Sequence, residues 1–212
     1  MVCLIEDERK VEEKSIQRAV GLDMGITHFV TDSDGVQIEN PHCLKKTLKK
    51  LRKEQRKLSR KKKGSKNRDK QRVKVAKVHE RIVNQRNDFL HKLSRYYVDS
   101  YDLIVMENLN VKGMVRSHLA RSISDVAWSA FAGMLSYKAG NAGKIIVKVN
   151  PRGTSQIYKY GELDRDYNAS LNVLERGLEK VGMGQTEYTP VDIEPLRHID
   201  ASSVVEAGSS LR

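Results

Sequence analysis

Short apolar runs separated by turn residues open the chain and predict strands before any helix. Val2 to Ile5 reads as a brief strand, followed by a charged loop through Lys14. Arg18 to Ile26 reads as a longer, central strand, and His28 to Thr31 and Val36 to Ile38 flank Asp32-Ser33-Asp34-Gly35. Asp-Gly between apolar runs is a strong hairpin signal, so the sheet is expected to begin as an antiparallel meander. From Leu44 the apolar period lengthens to that of a helix. Leu44, Leu48, Leu51 and Leu58 keep a thin stripe, and Gly64-Ser65 breaks it. A second helix follows from about Asn67 to Val98, with Val75, Val78, Ile82, Phe89, Leu93 and Tyr96 at helical spacing. Residues 44–98 thus form a helical hairpin inserted after the third strand.

Tyr101 to Glu107 is then an almost unbroken apolar run, the pattern of a strand buried on both faces of a parallel sheet. A polar loop leads to a helix that opens at Ser124 or Asp125 and carries Val126, Trp128, Phe131, Leu135 and Tyr137; Trp128 sits at core spacing. Asn141-Ala142-Gly143 ends that helix, and Lys144 to Val149 is the last strand, stopped by Pro151. A final helix runs from near Asp164 to about Lys180. Beyond it no periodicity is left, so residues 182–212 are expected to be a loosely packed or disordered tail. Residues 1–181 are expected to form one α/β domain, a mixed sheet flanked by helices.

Charge narrows the class of partner. The 212 residues carry a formal net charge of +12, a balance suited to neutralising phosphates and releasing their counterions. Roughly half of residues 44–77 are Lys or Arg with few acids among them, which favours phosphate contact over a merely solvated face. Lys49, Lys53, Arg56 and Arg60 are the expected contacts on the hairpin, joined by Lys112 in the polar loop and Arg152 after the last strand. No apolar run approaches the ~18 residues of a spanning helix, so no membrane is expected as partner. Met1 to Ile5 leads directly into Glu6-Asp7-Glu8, so no secretory leader is expected. Two cysteines, Cys3 and Cys43, make neither a disulfide framework nor a zinc site. A reducing, cytoplasmic setting is expected.

Three carboxylates stand out by position. Asp23 lies inside the apolar run Val20-Gly21-Leu22-Asp23-Met24-Gly25-Ile26, where a charge is costly unless something positive meets it. Glu107 closes the buried strand, at the carboxyl end where ligand sites of such sheets occur. Asp164 and Asp166 open the last helix two positions apart, so only one can face the sheet. Asp164 suits the N-cap, and Asp166 shares a face with Ala169, Ser170 and Val173. The usual partner of grouped carboxylates is a hard divalent cation, Mg²⁺ or Mn²⁺.

The order of these elements resembles an RNase H-like nuclease, with acids on the central strand, on its neighbour and on a helix crossing the sheet. The motifs are closer still. Gly21-Leu22-Asp23-Met24-Gly25-Ile26, Met106-Glu107-Asn108-Leu109-Asn110-Val111-Lys112-Gly113-Met114, Val149-Asn150-Pro151-Arg152-Gly153-Thr154-Ser155-Gln156 and Asp164-Arg165-Asp166-Tyr167-Asn168-Ala169-Ser170-Leu171-Asn172 resemble the RuvC-like domain of TnpB, also called OrfB. That family comprises transposon-encoded, RNA-guided DNA nucleases related to type V CRISPR effectors. The resemblance implies Asp23, Glu107 and Asp166 as the metal-binding catalytic acids, target DNA and guide RNA as partners, and a nucleoid-associated setting.

Two departures shape the expectation. Family members usually carry a recognition region before the first motif, and the first motif here lies almost at the start. They also place a four-cysteine zinc ribbon between the Thr-Ser-Gln and Asp-Arg-Asp segments, where only Ile157 to Leu163 stands, so no zinc is expected. A second reading is therefore a catalytically silent nucleic-acid-binding domain in which the acids are remnants. An ATPase of the actin-like fold also opens with Gly-x-Asp-x-Gly, but it needs a second such hairpin in a duplicated half, which this sequence lacks.

Overall fold

A computed structural model describes residues 16–109, 127–155, 163–183 and 196–206. Strands β1 (Ala19–Asp23), β2 (His28–Asp32) and β3 (Val36–Glu39) form the expected antiparallel meander. Its turn is closed by Gly35 at φ 77°, a left-handed conformation that glycine adopts without cost. Helices α1 (Cys43–Ser59) and α2 (Lys66–Ser100) form the inserted hairpin. Gly64 turns between them at φ 79°, and the Ser65 side chain caps α2 by accepting from the Arg68 amide. Strand β4 (Leu103–Glu107), helix α3 (Trp128–Ala142), strand β5 (Ile145–Val149) and helix α4 (Arg165–Lys180) follow. The expected strand at Val2 to Ile5 and the expected cap at Ser124 or Asp125 lie outside the described residues.

The sheet has the order β5-β4-β1-β2-β3-β6, in which β6 spans Arg197–Ile199. β4 pairs parallel with both β1 and β5, so the sheet is mixed, as expected for the RNase H-like layout. Alternation along the strands sends side chains to two separate cores. Val20, Leu22, Ile104 and Met106 face α2 and α3, where Phe29 packs edge-on against Phe89 and Phe131 with centroids 5.1 and 5.2 Å away. Ala19, Leu103, Val105, Val147 and Val149 face α4, meeting Val173, Leu174 and Leu178. Trp128 is 3% exposed in the first of these cores, consistent with a packing role. A third, smaller cluster of Cys43, Leu51, Val75, Val78 and Ile82 holds the hairpin helices to each other. The hairpin is also tied to the sheet, since buried Asp32 accepts from the Asp34 and Val36 amides and from the Tyr97 hydroxyl of α2 at 3.1 Å.

Part of the expected tail is ordered. Strand β6 (Arg197–Ile199) pairs parallel with β3, and helix α5 (Ala201–Glu206) buries Ala201 and Val204 beside α2. The local sequence Arg-His-Ile carries no strand period; the free edge of β3 supplies the pairing instead. Among the described residues no helix is long and apolar enough to cross a membrane.

Candidate active site

The two-residue period that builds the α4-facing core also delivers two acids to one place. Ala19 and Gly21 precede Asp23 on the same face of β1, and Leu103 and Val105 precede Glu107 on β4. The register pairs Leu22 with Met106, so one step further Asp23 and Glu107 stand level at the carboxyl ends of adjacent parallel strands.

Glycine sets the height of the third acid. A Cβ on Gly21 would lie 2.6 Å from the Leu174 amide nitrogen and closer still to the Ser170 carbonyl, and one on Gly177 would run into the Val105 side chain. Helix α4 therefore rests directly on the β1 backbone at Gly21, and at Gly177 its backbone seats against the Val105 side chain of β4. Asp166, Ser170, Leu174 and Gly177 fall on one face of that helix by their spacing. The Gln37 side chain of β3 donates to Asp164 at the start of α4 and Lys180 near its end donates to the Lys148 carbonyl of β5, so α4 crosses the strands and brings Asp166 within electrostatic reach of Asp23. Asp164 takes the N-cap, accepting from the Asp166 and Tyr167 amides, but it also accepts from the Gln37 side chain of β3 at 3.1 Å and adds to the repulsion on Asp23, so both acids reach the sheet side and the expectation that only one can do so does not hold.

The electrostatics agree with this convergence. Asp23 is pushed up to about 7, first by burial and then by repulsion from Glu107 and Asp166, with Arg165 acting in the opposite sense. Burial also raises Glu107, opposed by a hydrogen bond from Thr154 and the charge of Arg176. The Thr154 hydroxyl donates to Glu107 Oε1 at 2.5 Å, and Arg165 contacts Asp166 Oδ1 at 2.9 Å. Among the described residues no hydrogen bond or ion pair reaches the Asp23 carboxylate, and no three His, Cys, Asp or Glu side chains are grouped closely enough to hold one metal ion. The donor set is all oxygen and negatively charged, which fits Mg²⁺ or Mn²⁺ rather than a soft metal. The spacing is more open than a closed ligand shell, with Asp166 engaged by Arg165 and Glu107 by Thr154.

Sequence reasoning quoted Thr154 and Asn172 only as members of motifs, without a role for either, and missed Arg176 altogether. Asn172 donates to the Thr154 carbonyl at 2.8 Å, and Arg176 bonds the carbonyls of Asn150 and Arg152. A run of small polar residues after a strand that points at an acid was the available signal.

Of the expected phosphate contacts, Lys49, Lys53, Arg56 and Arg60 share one exposed face of α1 with Arg52 and Lys57, around an open concavity of about 550 Å³. Glu54 is the acid beside them; it is paired with Lys57 at 2.8 Å and bonded by Gln71. Arg152 is exposed in the turn after β5. Lys112 lies outside the described residues.

The OrfB_IS605 family model, described as "Probable transposase", matches residues 2–118, more than half of the sequence. The chain belongs to this family. The matched segment contains Asp23 and Glu107 of the acidic site, while Asp166 lies beyond it. A "Putative RNA-guided DNA endonuclease" of Streptomyces pristinaespiralis is 41% identical over 206 residues, covering 86% of this chain and 51% of that protein. InsQ of Escherichia coli strain K12, which carries the same description, is 36% identical over 223 residues, covering 87% and 56%. The chain thus spans about half the length of these OrfB_IS605 relatives. A solved Cas12f1-sgRNA-target DNA complex overlaps 77% of this chain and 51% of its own, with 17% identity and a TM-score of 0.49.

Proposed function

We propose that this chain is the divalent-metal-dependent endonuclease domain of an OrfB_IS605 protein, hydrolysing DNA phosphodiester bonds under the direction of a guide RNA. The observation that supports it most is the convergence of Asp23, Glu107 and Asp166, each from a different element, at the carboxyl ends of β1 and β4. Asp23, Glu107 and Asp166 would hold Mg²⁺ or Mn²⁺, whose chemistry is Lewis-acid activation of a water and of the scissile phosphate. Asp23 carries the largest repulsion and occupies the middle position, which suits a shared ligand. Arg165 and Arg152 at the rim, and the α1 row of cations, orient the phosphate backbone without reading bases. The related endonucleases carry "RNA-guided DNA" in their descriptions, and the charge of +12 is consistent with both polyanions.

A second reading, a nucleic-acid-binding domain without catalysis, draws on the contact between Arg165 and Asp166 and on the open spacing of the acids. One experiment separates the two. Single-stranded DNA is incubated with the chain and Mn²⁺, and nicking is followed on a denaturing gel for wild type and Asp23→Ala. The endonuclease reading expects metal-dependent nicking that is lost in the variant. DNA binding with a steep salt dependence, and no cleavage by wild type in Mn²⁺ or Mg²⁺, would establish the binding reading instead.

A further inference from the structure

We infer that Thr154 is a positioning residue for Glu107, and that helix α4 sets the geometry of two acids at once: Asp166, which it carries, and Glu107, which it reaches through the turn after β5. The inference rests on the endonuclease reading of the acidic site.

Thr154 is 1% exposed, and its hydroxyl has two acceptors within reach, Glu107 Oε1 at 2.5 Å and the Pro151 carbonyl at 3.0 Å. A hydroxyl has one proton to give. An ionised carboxylate is the stronger acceptor, and the shorter distance agrees with a charge-assisted bond. The bond fixes Oε1 and leaves Oε2 without a hydrogen bond from any described residue. Glu107 is thereby offered to a cation through one oxygen rather than two.

The turn bearing Thr154 does not hold itself in place. Gly153 sits at φ 82°, Asn172 of α4 grips the Thr154 carbonyl from a buried position, and Arg176 one turn later ties down the carbonyls of Asn150 and Arg152. Asn172 and Arg176 are four residues apart and share a face of α4. The same helix carries Asp166 within electrostatic reach of Asp23, so any shift of α4 moves the Thr154 hydroxyl together with Asp166. Partners that orient a ligand in this way commonly change metal affinity by 10–100-fold when removed.

The test uses isothermal titration of Mn²⁺ into the intact chain, with thermal unfolding as a fold control. Thr154→Val keeps the shape and removes the hydroxyl; Thr154→Ser keeps the hydroxyl. The expected result is Mn²⁺ affinity weakened by about tenfold in the valine variant and wild-type affinity in the serine variant. In a Glu107→Gln background the valine substitution is expected to change affinity less than twofold, a cancellation that a purely structural role would not produce. Asn172→Ala, which frees the turn but spares the hydroxyl, is expected to weaken Mn²⁺ binding severalfold and carries the comparison if the valine variant does not fold. Equal affinity of wild type and Thr154→Val, or equal losses in the valine and serine variants, overturns the role of Thr154 alone. Absence of any Mn²⁺ binding that depends on Asp23 in the wild type overturns the endonuclease reading and this inference together.

Discussion

Replacing Gly21 by alanine tests the close seating of α4 on the sheet. The new Cβ would stand 2.6 Å from the Leu174 nitrogen and 2.8 Å from the Leu174 Cβ, against backbone and helix rather than a flexible side-chain end. Ordinary carbon contacts begin near 3.5 Å, so α4 must retreat by about 1 Å. Overpacking of this kind costs about 1–3 kcal/mol. Loosening of the contacts that Val173, Leu174 and Leu178 make with β1, β4 and β5 adds to it. A chain of this length loses about 2–4 °C per kcal/mol, which sets an expected drop of roughly 2–12 °C in Tm from overpacking alone. Gly133 supplies the control: it lies inside α3 with nothing within 4 Å of its would-be Cβ. Alanine there is expected to stabilise by up to about 1 kcal/mol through helix propensity. The assay is thermal unfolding of the three proteins side by side, followed by Mn²⁺-dependent nicking at a temperature where all are folded. Because a 1 Å misplacement at a reacting centre can cost on the order of a hundredfold in rate, Gly21→Ala is expected to cut poorly even when folded. A Gly21→Ala protein that melts within about 2 °C of wild type would refute the close approach of α4 to β1, and with it the seating of α4 that holds Asp166 near Asp23.

Two further outcomes are expected. Asp32 is raised from 3.8 to about 7 by burial; its folded form binds a proton that the unfolded chain has already released, so stability falls as pH rises from about 4 to 7. Asp32→Asn should remove part of that decline, on the order of 2–4 kcal/mol at pH 8, read as the difference between urea midpoints at pH 5 and pH 8; an unchanged pH slope would count against it. On the α1 face, Arg56→Gln is expected to weaken binding of single-stranded DNA uniformly across sequences and to reduce the salt slope by about 0.7; a variant whose slope matches wild type would remove Arg56 from the phosphate contacts.

Much of this architecture was legible in the residues because local periods and the sheet's demands coincide. Val20 and Leu22 alternate with Gly21 and Asp23, and the apolar run from Tyr101 to Glu107 announced a buried strand with an acid at its carboxyl end. Ser65 and Gly64 marked the hairpin's turn, and the N-cap role of Asp164 followed from its residue type and its place before the helix. What escaped was nonlocal. Thr154 gains its meaning from Glu107, 47 positions earlier in the chain, and no pattern around Thr154 announces that partner. The length of β1 was overestimated because Gly25 and Ile26 continue the apolar run, while the ladder itself ends at Asp23. β6 was missed for a related reason: Arg197 and His198 are poor strand formers that pair because an edge is waiting for them.

That last pairing also determines how the molecule tolerates being shortened. With β6 in place, the outer hydrogen-bonding row of β3 is occupied from Val36 to Ile38. A version ending before Arg197 would offer those amides and carbonyls, beside buried Val36 and Ile38, to any extended peptide that met them. Copies of the shortened chain would then supply one another with the missing strand. Solubility of the domain is therefore written partly in three residues that follow the last acid by some thirty positions.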